Sequence, residues 1–196
     1  MSGDTNSKPA LGFLTVVEDR KHGLFGGYLL VNASGKPLEF HCTAPIRPNR
    51  AQEILYGPTL LPYLYGEQIG QTLLAAAKAR PLAVCTDCRP ALAVGEYVDV
   101  PVVLVLPPDS SRVEATEEPT KSGNLDKTWR IDGSHSDKLG LVCFQLGRNH
   151  LALPAGDHAG RELVTDRLAP MADSFDLAEP FGRIKDAIEE ARQGGQ

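Results

Sequence analysis

Three apolar runs crowd into residues 11–43, and the breaks between them are short. They are "LGFLTVVED" (11–19), "YLLVN" (28–32) and "PLEFHCT" (37–43), and the last alternates Leu38, Phe40 and Cys42 with Glu39 and His41. The intervening "RKHGLFGG" (20–27) and "ASGK" (33–36) supply glycines for turns. Strands joined by such short breaks run antiparallel, because a parallel return needs a crossover of a dozen residues or more. The segment therefore predicts a three-strand antiparallel meander.

From residue 47 the period changes. "RPNRAQEILYG" (47–57) opens on Pro48 and Asn49, both helix-start residues, and stops at Gly57. In "PTLLPYLYGEQIGQTLLAAAKAR" (58–80), Leu61, Tyr65, Ile69, Leu73 and Ala77 recur at intervals of four, which lays an apolar stripe on one helix face. Gly66 and Gly70 sit in that run at a cost of about 1 kcal/mol each against Ala, so close backbone approach or a break is expected there. "PLAVCTD" (81–87) reads as a strand and "DVPVVLVLPPD" (99–109) as another, ended by a double proline. Between them "CRPALAVGEYV" (88–98) reads as a helix, with Thr86 or Asp87 as cap and Pro90 in its first turn. "KLGLVCFQLGRNHLALP" (138–154) forms two apolar runs around "GRN", a hairpin pattern, and helices are expected over 157–172 and 179–195.

The predicted fold is α+β (mixed α/β): one mixed sheet with an N-terminal meander, helix-strand-helix-strand crossovers, a later hairpin and C-terminal helices. The domain layout is a flexible N-terminus at 1–10, an α/β core at 11–106, a flexible insertion or linker at 107–137, and 138–193 completing the same domain. The insertion is polar and mixed in charge, and it carries the single tryptophan, Trp129. With 196 residues, 42% of them hydrophobic, the chain suits one domain with a full core.

Charge and targeting signals restrict the function classes. A net charge of −5 disfavours extended nucleic-acid binding, which draws its affinity from excess Lys and Arg. "MSGDTNSKPA" lacks the basic-then-apolar order of a signal peptide, and "VPVVLVL" (100–106) is far shorter than the ~20 residues of a membrane helix. No membrane association is expected, and the location is read as cytoplasmic. In that compartment Cys42, Cys85, Cys88 and Cys143 are expected as thiols or ligands, not disulfides.

Two stretches hold the candidate site residues. "CTDC" (85–88) places Cys85 and Cys88 at zinc half-site spacing, but a second pair is missing and Cys42 or His41 would have to supplement it. A helix start after the motif favours a Cys88 thiolate, whereas Asp87 opposes one. The layout resembles thioredoxin in these four or five residues alone, without the aromatic before the first cysteine. The plainer reading makes both cysteines small buried side chains. No cofactor is expected on that reading, with zinc as the alternative. "TAPIRPNRAQ" (43–52) sets Thr43, Arg47, Asn49 and Arg50 around a helix start, where a small anion or nucleotide phosphate could bind, with Asp87 nearby. The plainer reading pairs those arginines with acids such as Glu53.

Right-handed crossover would bring the exits of strands 37–43 and 81–87 to one edge of the sheet. Nucleotide-loop and serine-hydrolase motifs are missing from the chain. The expected function is accordingly a non-enzymatic cytosolic binding or adaptor domain for an unknown protein partner. A thiol-dependent redox or zinc-binding protein and a small-anion or nucleotide binder are the alternatives.

Overall fold

A computed structural model describes residues 9–107 and 140–193. Nearly all of the expected insertion, with Trp129, lies outside the described residues. The fold is α+β: a single mixed sheet of seven strands in the order β3-β2-β1-β4-β5-β7-β6. β1 (Ala10–Asp19), β2 (Gly23–Asn32) and β3 (Pro37–Cys42) form the antiparallel meander. β4 (Val84–Thr86) and β5 (Val102–Leu106) continue from β1 as parallel neighbours. The hairpin β6 (Leu141–Leu146) and β7 (Asn149–Pro154) closes the other side, with β7 antiparallel to β5.

Helices cover both faces. On one lie α1 (Arg50–Tyr56), a 3-10 turn (Gly57–Thr59), α2 (Leu60–Pro62), a π-helical stretch (Tyr63–Gln71), α3 (Thr72–Ala76) and a 3-10 helix (Arg89–Glu96). Their buried Leu64, Ile69, Leu73, Ala91 and Val94 meet Leu14, Tyr28, Leu30 and Val84 of the sheet. On the other face α4 (His158–Leu168) and α5 (Glu179–Gln193) present Val164, Leu168, Phe181, Ile184 and Ile188 to Leu11, Phe13, Leu29, Cys85 and Val103. The alternation of side chains along each strand thus feeds two separate cores.

Three local expectations are corrected. Gly26 and Gly27 belong to β2, not to the preceding turn. A Cβ on Gly26 would strike Ile69, and one on Gly27 would strike Ile184, so these glycines let a helix approach from each face. The long helix expected over 58–80 is broken up. Pro58 and Pro62 withdraw two backbone donors, and the central stretch adopts the wider i→i+5 turn, with Leu64 and Ile69, five apart, both buried. Leu61 is consequently half exposed instead of heading the stripe. Gly66 and Gly70 do serve close approach: a Cβ at either would lie 2.9 Å or less from atoms of Ala93 or Val94 in the 3-10 helix. Finally, the strand read over 81–87 contracts to Val84–Thr86.

Candidate functional site

β1, β4 and β5 run in one direction, so their carboxyl ends share an edge of the sheet. Asp87 sits there, immediately after β4. Its Oδ1 accepts a 2.6 Å hydrogen bond from the hydroxyl of Thr15 on β1, a side chain that is fully buried. Its Oδ2 receives the Lys185 ammonium of α5 at 2.6 Å. The Cys88 thiol completes the group, 3.3 Å from Asp87 Oδ1 and 3.7 Å from the Val16 carbonyl. The register of β1 against β4, Leu14 opposite Thr86, puts Thr15 and Asp87 side by side. One carboxylate therefore ties the middle of α5 to the centre of the sheet.

The two cysteines of the CTDC motif point away from each other. Cys85 lies in the core beneath α4 and α5, while Cys88 packs against the core beneath the π-helical stretch. Burial raises the Cys85 thiol to about 12. Burial, reinforced by the negative charge of Asp87, raises Cys88 to about 11. Both remain protonated at neutral pH. Among the described residues no group of three His, Cys, Asp or Glu side chains could hold a metal ion.

A graded thiol reactivity follows. Exposed Cys42 and Cys143 should be alkylated promptly at pH 7, Cys88 slowly, and Cys85 only on unfolding, as read by mass spectrometry over time. Equal rates at Cys88 and Cys42 would contradict this environment.

The first stretch lies elsewhere. β3 runs parallel to β4, as its crossover requires, but β2 and β1 stand between them. Three inter-strand steps put the two exits about 14 Å apart, so Cys42, Thr43, Arg47, Asn49 and Arg50 are not gathered with Cys85, Asp87 and Cys88. Thr43 is bound to β2, its hydroxyl accepting from the Gly26 N–H at 2.9 Å. Asn49 caps α1 in a reciprocal pair with Gln52, and Arg50 is paired with Glu53 at 2.9 Å. Arg47 is exposed, its stem against Gly23.

Beside this stretch opens a cleft of about 850 Å³ between the end of β3 and the π-helical segment, lined by Phe40, His41, Thr43, Gln68, Gln71 and Thr72 among others. Glu39, on the edge strand β3, accepts the backbone N–H groups of Lys78 and Ala79 and pairs with His41. The Lys78 N–H bond first, then His41, hold its carboxyl below the usual range. The tyrosines of this region are mutually occupied: Tyr56 stacks on Tyr63 at 4.0 Å, and Gln68 donates to the Tyr63 hydroxyl.

One feature of α1 was legible only in part. Its seven residues bury none of their number. Ile54 and Leu55 are 66% and 81% exposed, and Leu61 on the next turn is 50% exposed. Adjacent apolar residues in "AQEILYG" are the sequence signal; their exposure was not readable. No family model matches the chain, and no curated protein is significantly similar to it.

Proposed function

We propose that this protein is a non-enzymatic binding or adaptor protein acting in the cytoplasm, and that it meets a protein partner through the apolar surface of α1 and α2. The observation that carries the reading is the exposure of Ile54 and Leu55 on α1, a helix with no buried residue, and of Leu61 on α2 beside it in the chain, as seen among the described residues. Large apolar side chains grouped in the open mark interaction surfaces more often than chance. Four free cysteines agree with a reducing compartment, and among the described residues no helix is long and apolar enough to cross a membrane. The thiol and anion alternatives have less support, since Cys85 and Cys88 face different cores and Arg50 is already paired.

The expected outcome of Ile54→Glu with Leu55→Glu is loss of the partner recovered by the wild-type chain. Stability should change by no more than about 0.5 kcal/mol, because both positions lie at the surface. The measurement is recovery from lysate by wild type and variant, followed by titration with the purified partner. A partner bound equally by both chains, or turnover of a small substrate by the protein alone, would sink the reading.

A further inference from the structure

We draw no further inference here: the strongest candidate, the cleft of about 850 Å³ between the end of β3 and the π-helical stretch, has its Thr43, Gln68 and Thr72 side chains hydrogen-bonded within the chain, and nothing in the structure shows what covers it.

Discussion

Alanine at Gly26 or at Gly27 is expected to destabilise the protein by about 1–3 kcal/mol, the usual cost of forcing an extra methyl into a closed core. The sign is informative. Elsewhere, Gly→Ala at a compatible backbone position gains about 0.4–1 kcal/mol by restricting the unfolded chain. Neither glycine has a positive φ, so the backbone alone would permit the gain. The contacts reverse it. The added carbon at Gly26 would meet Ile69 and come within 2.9 Å of Leu73; at Gly27 it would meet Ile184 and come within 2.9 Å of Ile188. All four of those side chains are buried, so they have little room to give.

The two intrusions fall on opposite faces of adjacent residues, so a backbone shift that relieves one clash worsens the other, and the double substitution should cost more than the sum. Urea denaturation of the singles and the double measures this. Pairing Gly26→Ala with Ile69→Ala should cost less than their sum, while pairing it with Ile184→Ala should be closer to additive. A stability gain in either single glycine variant would contradict the two-sided approach.

Asn149→Ala is expected to cost about 3 kcal/mol, or about 6–12 °C in melting temperature for a chain of this size. Asn149 opens β7 and is 6% exposed. Its amide donates to the carbonyls of Ala172 and Phe175, each at 3.0 Å, and its oxygen accepts the Leu177 N–H at 2.9 Å. Alanine would strand that N–H in a buried site, take the side-chain donor from the Phe175 carbonyl and leave the Ala172 carbonyl with the longer Arg148 N–H bond at 3.4 Å. Asn149→Asp should be at least as damaging at neutral pH, since it turns a carboxylate toward carbonyl oxygens. It should recover partly as pH falls toward about 4, where a protonated carboxyl regains one donor. Thermal melts across pH check both expectations; a wild-type melting point for Asn149→Ala would mean the segment after α4 is held by other contacts.

The sequence disclosed those parts of the fold whose signals are periodic and local. The alternation in 37–43 and the two runs around "GRN" announce strands and hairpin, because a half-buried strand must alternate. Ile184 and Ile188 announce the inner face of α5 for the corresponding helical reason. What escaped depends on partners far along the chain. Gly26 and Gly27 look like turn residues until Ile69 and Ile184 are brought against them. A spacing of four does not announce an i→i+5 turn. Asn149 looks like part of a turn, and nothing local reveals its three bonds to the chain beyond α4. The same holds at Asp87: Thr15 and Lys185, its partners, stand 72 and 98 positions away. The shared edge of β3 and β4 was readable from chirality, but the two strands lying between them were not, because strand order depends on which long-range pairings win.

The pairing of β1 with β4 has a consequence for biosynthesis. The meander can close as soon as its residues leave the ribosome, yet the inner flank of β1 has no ladder partner until residues 84–86 are made. Through the intervening synthesis the nascent chain carries an open, strongly apolar strand at what will become the middle of the finished molecule. Only the arrival of a three-residue segment, the shortest strand of the sheet, removes that exposure.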